Sequence, residues 1–119
     1  MPENAVIFIA EDNDEMRRML KTMLKIRGHS VVLEADSLKE ALEGVKEVKT
    51  LGVNVAIVDG SLDGQDSPGD GPKVAEALRK EIPTIKIVSF SGASKPVTWG
   101  DYNPGKSGIN KLPSLIRSI

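Results

Sequence analysis

The stretch Val6-Ile7-Phe8-Ile9-Ala10-Glu11-Asp12-Asn13-Asp14-Glu15-Met16 changes from one periodicity to another. Val6 to Ile9 is a continuous β-branched and aromatic run, the pattern of a strand buried on both faces. The run stops at Glu11-Asp12. From Asp14 the apolar positions are Met16, Met19, Leu20, Met23 and Leu24, spaced i, i+3, i+4, i+7, i+8. That spacing predicts an amphipathic helix, with Asp14 as N-cap and Gly28 placed to end it.

Outward from this unit the alternation repeats. Val31-Val32-Leu33 reads as a second strand, and Ser37 with Glu40 fits the reciprocal capping box of a second helix. Leu38, Ala41, Leu42, Val45 and Val48 form its apolar stripe. Val53 to Val58 is a third strand ending on Asp59. The segment Gly60 to Gly71 holds four Gly, one Pro and three Asp and reads as a loop. Pro72 suits a first helical turn, and Val74, Ala75, Leu78 and Ile82 continue a helix that Pro83 stops. Ile85 to Phe90 is a fourth strand. Between Gly92 and Gly105 two Pro and three Gly leave no helical period. A short strand around Gly108 to Asn110 is expected next, then a last helix with Leu112, Leu115, Ile116 and Ile119 on one face and Pro113 near its start.

Strands alternating with helices favour a parallel sheet, because parallel neighbours need crossovers and right-handed crossovers place helices on both faces. With 119 residues and no repeat or linker, the reading is one domain over residues 1–119. The composition, 39% hydrophobic and 28% charged, is that of a globular chain. Sixteen basic against seventeen acidic residues leave a formal charge of −1, so no broad attraction to nucleic acid or anionic lipid is expected. Any partner must be recognised locally. With no cysteine, disulfides and thiolate metal sites are excluded, and the cytoplasm is the expected compartment. The longest apolar stretch, Ala5 to Ala10, is far short of the roughly 20 residues of a spanning helix, and no positive leader region precedes it.

Sites in parallel sheets lie at the carboxyl ends of the strands. Glu11 and Asp12 follow the first strand and Asp59 the third, so the three carboxylates converge if those strands are neighbours. Crowded carboxylates repel unless a cation intervenes, and Mg²⁺, a hard ion with oxygen ligands, is the simplest solution. Ser91 after the fourth strand adds a hydroxyl, and Lys111 after the expected fifth strand a mobile cation. Such a site suits a phosphoryl group, with one carboxylate attacking phosphorus to form an acyl phosphate.

In these features the chain resembles the receiver domain of two-component response regulators over nearly its full length. The resemblance rests on Glu11-Asp12, Asp59 after a hydrophobic strand, Ser91 after Ile87-Val88-Ser89-Phe90, the small Gly92, and Lys111, in that order. It implies a flavodoxin-like (βα)5 fold: a doubly wound, five-stranded parallel sheet in a three-layer α/β/α arrangement. It also implies that Asp59 takes a phosphoryl group from a histidine kinase or phosphotransfer protein. Mg²⁺ would be held by Asp12, Asp59 and the backbone carbonyl of Ser61, with Glu11 acting through water. Phosphorylation would then alter binding to a downstream protein. The expected function is a stand-alone phosphoacceptor of this kind, not an enzyme acting on other molecules.

Four departures from the family pattern stand out. Gly71 lies farther past the acceptor than the family's usual Gly, which implies an enlarged loop. The usual Lys-Pro is Lys111-Leu112-Pro113, and the aromatic expected before that Lys is Gly108. The fourth helix is degenerate, nearly erased by Pro96, Gly100 and Pro104. These departures suggest a rival reading, a receiver-like interaction module that does not switch on phosphorylation.

Two motif matches fail on context. Gly100 to Ser107 fits the P-loop pattern of a nucleotide binder, but no good strand precedes it and Gly108 and Pro113 interrupt any helix after it. Asp59, Ser61, Asp63, Gly64 and Asp70 fit the spacing of a calcium loop, but a strand, not a helix, leads into it. The remaining features have plain readings: His29 as an exposed residue after Gly28, Met16, Met19 and Met23 as core, and Arg17 and Arg18 as solvated charge. Trp99 and Tyr102 either anchor a partner or close their loop over the sheet.

Overall fold

The computed structural model describes residues 4–60, 62, 69–90 and 97–118. Four strands, β1 (Val6–Ala10), β2 (Ser30–Ala35), β3 (Val55–Val58) and β4 (Lys86–Ser89), form one sheet. Its order is β2-β1-β3-β4 and every pairing is parallel. Between and after the strands run α1 (Asp14–Ile26), α2 (Leu38–Val45), α3 (Val48–Leu51), α4 (Asp70–Glu81), a 3₁₀ helix (Lys106–Lys111) and α5 (Leu112–Ser118).

The continuous apolar runs are explained by the two cores they serve. Phe8, Ala10, Ala56, Val58 and Ile87 point to one face, where Ala41, Val45, Val48, Val74 and Leu78 of α2, α3 and α4 cover them. The alternate residues Ile7, Ile9, Val55, Ile57 and Val88 point to the other, under Leu20 and Leu24 of α1 and Leu112 and Ile116 of α5. Strand residues alternate faces, so a two-sided sheet requires every position to be apolar. β2 lies on an edge, and its register slips between Ile7 and Phe8, leaving Val32 bulged outward and exposed.

Several expectations are corrected. Asn13, not Asp14, caps α1, its side chain accepting from the Met16 amide. Ser37 caps α2 as expected, accepting from the Glu40 N–H, but the Glu40 carboxylate accepts from Asp36 N–H at 3.0 Å and not from Ser37. The second helix breaks at Lys46-Glu47 into α2 and α3. Met19 is 45% exposed and Leu42 38%, so neither belongs to a core. Residues 108–110 lie in the 3₁₀ helix and not in a strand.

The fifth place in the sheet is marked instead by a single parallel bridge between Val88 and Tyr102. There Asp101 and Tyr102 donate their N–H groups to the Ile87 carbonyl, and Ser89 N–H donates to the Tyr102 carbonyl at 2.9 Å. The Asp101 carboxylate accepts from Ile87 N–H at 2.8 Å, standing where a neighbouring strand's carbonyl would. No helix is present over residues 97–105. The segment closes over the sheet: Trp99 packs against one core and Tyr102 against the other. Among the described residues no helix is long and apolar enough to cross a membrane.

Candidate functional site

The strand ladders run one residue past their ends, and this sets the site. Glu11 N–H donates to Ala35 O at 3.0 Å and Asp59 N–H to Ala10 O at 2.8 Å. Glu11-Asp12 and Asp59 therefore leave adjacent parallel strands at the same edge, about one strand spacing of 4.8 Å apart. Glu11, Asp12 and Asp59 each present a carboxylate oxygen within 4.8 Å of the others. Glu11 is 1% exposed and Asp59 5%, while Asp12 is half-buried. Three carboxylates this close, two of them out of water, favour a bound cation, and an all-oxygen donor set matches Mg²⁺.

Neighbouring groups fix these acids. One Glu11 carboxylate oxygen accepts from Asn13 N–H at 3.0 Å, which draws the acid back toward the start of α1. Arg17 is no solvated charge. Its side chain is 16% exposed, and its Nη1 donates to the Glu11 carbonyl oxygen at 2.7 Å. Its Nη2 meets Asp14, and its Nε lies 3.3 Å from Glu34, whose other oxygen is 2.8 Å from Lys21 Nζ. Burial alone would loosen the proton of Arg17, but the hydrogen bond to Asp14 and the charges of Asp14, Glu34 and Asp36 raise its pKa above the ordinary value. Arg18, by contrast, is exposed.

Behind Asp59 lies the first turn of α4. Gly71 N–H donates to Gly60 O at 3.0 Å. A Cβ on Gly71 would fall 2.8 Å from the Asp59 carbonyl oxygen, 2.8 Å from Gly60 Cα and 2.6 Å from the Trp99 ring. Only glycine lets this helix approach the acid's backbone so closely. The buried Asp70 accepts from Leu62 N–H at 3.1 Å and so ties the loop after Asp59 to the helix.

Ser61 and Ser91, expected at the site, lie outside the described residues, as do Gly92 of the resemblance and Asp63 and Gly64 of the calcium-loop spacing. Lys111 ends the 3₁₀ helix and is exposed. Two residues on, Pro113 turns its carbonyl toward His29, at the amino end of the sheet. His29 is itself a correction. It is 4% exposed, and its Nδ1 accepts from Ala5 N–H at 3.0 Å. Burial pushes its pKa below the usual imidazole range and Arg117 adds to this, against the Pro113 carbonyl.

The fifth-strand bridge is followed by Asn103-Pro104. Asn103 accepts from Ser89 Oγ at 2.7 Å and from Gly100 N–H at 3.0 Å. These bonds also dispose of the P-loop spacing. A Cβ on Gly100 would strike the backbone of Ser89 and Tyr102 within 2.9 Å, and Lys106 opens a 3₁₀ helix, so no phosphate cradle forms. Sequence reasoning missed Arg17, whose i, i+3 acid partner Asp14 was the available signal. It also missed the edge-sealing role of Asp101, which left no periodic trace.

Residues 7–102 match the family model described as the response regulator receiver domain. The chain is 30% identical over 120 residues to a probable transcriptional regulator, ycf27, of Porphyridium aerugineum; the match takes in 95% of this chain and 47% of that protein. The chain thus spans about half the length of that curated relative. Among solved structures it resembles the receiver domain of the Francisella response regulator 1452, with a TM-score of 0.77 at 20% identity over 97% of this chain and 95% of that one. It also resembles the receiver domain of the hybrid histidine kinase CckA, with a TM-score of 0.70 at 25% identity over 96% and 97%. Together with the acid cluster at the carboxyl end of a doubly wound sheet, the family match establishes that this chain belongs to the receiver domains of two-component response regulators.

Proposed function

We propose that Asp59 is the phosphoacceptor and that the chain signals by changing its protein contacts when Asp59 is modified. The observation that carries this reading is the cluster of Glu11, Asp12 and Asp59, with donor oxygens within 4.8 Å of one another at the ends of β1 and β3. A docking module with no phosphoryl chemistry has no need to hold three carboxylates against their mutual repulsion. The donor would be a phosphohistidine of a sensor histidine kinase or a phosphotransfer protein. An Asp59 carboxylate oxygen attacks phosphorus, the P–N bond breaks, and the imidazole leaves with the electron pair and takes up a proton.

Asp12, Asp59 and the Ser61 carbonyl would hold Mg²⁺, with Glu11 acting through water; the ion supplies positive charge to offset that of the phosphoryl oxygens. Ser91 and Lys111 complete the proposed set, the hydroxyl bonding one phosphoryl oxygen and the ammonium neutralising another. The downstream partner is taken to be a protein.

The test is intact mass after incubation with a small-molecule phosphodonor, with and without Mg²⁺, for the wild type, Asp59→Asn and Lys111→Met. A Mg²⁺-dependent gain of one phosphoryl group that Asp59→Asn lacks is expected. An unchanged yield in Lys111→Met removes that residue from the site. No gain in a folded wild type that binds Mg²⁺ would refute the acceptor role and leave the non-switching interaction module.

A further inference from the structure

The geometry points to Arg17 as a positioning residue for the acid pair, acting through the peptide that joins Glu11 to Asp12; the inference rests on the Mg²⁺ site proposed above. The last ladder bond of β1 toward β2 is Glu11 N–H to Ala35 O. Beyond it the chain leaves the sheet, and the Glu11 carbonyl takes its hydrogen bond from Arg17 Nη1 at 2.7 Å. Glu11 and Asp12 share that peptide, so a displacement of it carries the Cα atoms on both sides, and with them both carboxylates. Holding it still sets the separation of two members of the cluster at once.

The holder is itself held. Nη2 bonds Asp14, and Nε faces Glu34 at 3.3 Å, whose second oxygen meets Lys21 at 2.8 Å. A planar guanidinium can engage three acceptors in fixed directions, which an ammonium cannot. Two opposing effects on metal affinity follow. The positive charge of Arg17 repels a divalent cation, so removing it would tighten binding. Its grip on the peptide preorganises the ligands, so removing it would weaken binding. Because Asp14 and Glu34 already neutralise the guanidinium, the second effect governs. Groups that orient metal ligands typically change affinity about 10- to 100-fold when lost.

The experiment is a Mg²⁺ titration of the full chain for the wild type, R17K, R17M and K21M. It is read by calorimetry and by fluorescence of Trp99, the sole tryptophan, whose ring lies against the Gly71 position beside Asp59. R17K and R17M are expected to bind Mg²⁺ about tenfold more weakly or worse. K21M removes the other partner of Glu34 without touching Glu11 and is expected to bind as the wild type does. Equal affinity in R17K with tighter binding in R17M would overturn the inference in favour of charge alone. Weakening in K21M equal to that in R17K would reduce Arg17 to a general brace of α1 on β2.

A metal-free readout stands beside these. The Asp12 amide nitrogen belongs to the peptide that Arg17 grips, so R17K must move its chemical shift even if R17M does not fold. An unmoved shift refutes the inference. A wild type with no Mg²⁺ response sensitive to Asp59→Asn would refute the metal reading instead, while the Asp12 shift still reports on Arg17.

Discussion

Replacing Gly71 by alanine puts a methyl carbon where the first turn of α4 leaves no room for one. Helix propensity alone favours the change, since alanine in place of glycine gains up to about 1 kcal/mol in a helix. Nothing in the backbone opposes it, because Gly71 is not among the glycines with positive φ. The surroundings reverse the sign. The added Cβ would lie 2.8 Å from Asp59 O and 2.8 Å from Gly60 Cα, both backbone atoms, and 2.6 Å from the Trp99 ring. Overpacking of this kind costs about 1–3 kcal/mol. If the helix start shifts outward instead, the 3.0 Å bond from Gly71 N–H to Gly60 O is lost, at about 1 kcal/mol. Three contacts below 3.0 Å, two of them to backbone, put the cost in the upper part of that range, about 2–3 kcal/mol, and subtracting the propensity gain of about 1 kcal/mol leaves a net loss of about 1–2 kcal/mol.

Gly44 in α2 is the internal comparison. Its added Cβ meets only side chains, Leu33 at 3.2 Å and Phe8 at 3.6 Å, so propensity is opposed there by movable atoms alone. Urea unfolding followed by circular dichroism measures both variants. With a slope of about 2 kcal/mol/M, the midpoint for Gly71→Ala should fall by roughly 0.5–1 M, and Gly44→Ala should stay near the wild type or rise slightly. A Gly71→Ala protein as stable as the wild type would show that the α4–Asp59 approach is looser than the geometry says.

Two further outcomes follow from other parts of the structure. His29 has its pKa lowered by burial, so the unfolded chain binds more protons than the folded one as pH falls through the ordinary imidazole value of about 6.5. His29's contribution to stability is therefore full above that value and declines below it. Urea midpoints measured across this range should drop for the wild type and stay flatter for His29→Gln, and equal slopes would refute the assignment. Asp101→Ala strips the acceptor from the N–H of the fully buried Ile87 and should cost about 1–3 kcal/mol in the same assay, whereas an unchanged midpoint would mean that water or another group replaces the carboxylate.

The four described strands and the helices between them were legible because each side of the sheet imposes its own requirement on the sequence. A strand covered on both faces must be apolar throughout, and Val6–Ala10 and Val55–Val58 are. The surface was less legible. Helical spacing placed Met19 and Leu42 in the cores, yet both are substantially exposed, because the spacing marks a stripe and not its width. His29 was misread for the opposite reason: one backbone hydrogen bond to Ala5 and the cover of α5 bury a residue that follows a helix-ending glycine. Neither fact leaves a periodic trace.

The acid cluster was legible for a topological reason. Once β1 and β3 are parallel neighbours, the residues just past their ends must meet, and Glu11, Asp12 and Asp59 do. The far edge of the sheet follows no such rule. The sequence places a short strand around residues 108–110 ahead of the last helix, yet the place beside β4 is filled by Gly100 to Asn103 through one bridge and a carboxylate. That segment has glycine and asparagine where a strand would have β-branched residues, so pattern alone could not find it. Tyr102, half-buried against the α1–α5 core, is the aromatic side chain that fills that place. Asn103 beside it pins the turn, accepting from Ser89 Oγ and Gly100 N–H. At the opposite edge, Arg17 grips the Glu11 peptide from the α1 side while Asp14 and Glu34 meet its charge, so its part in the site is to hold the backbone of the acids and not to balance them.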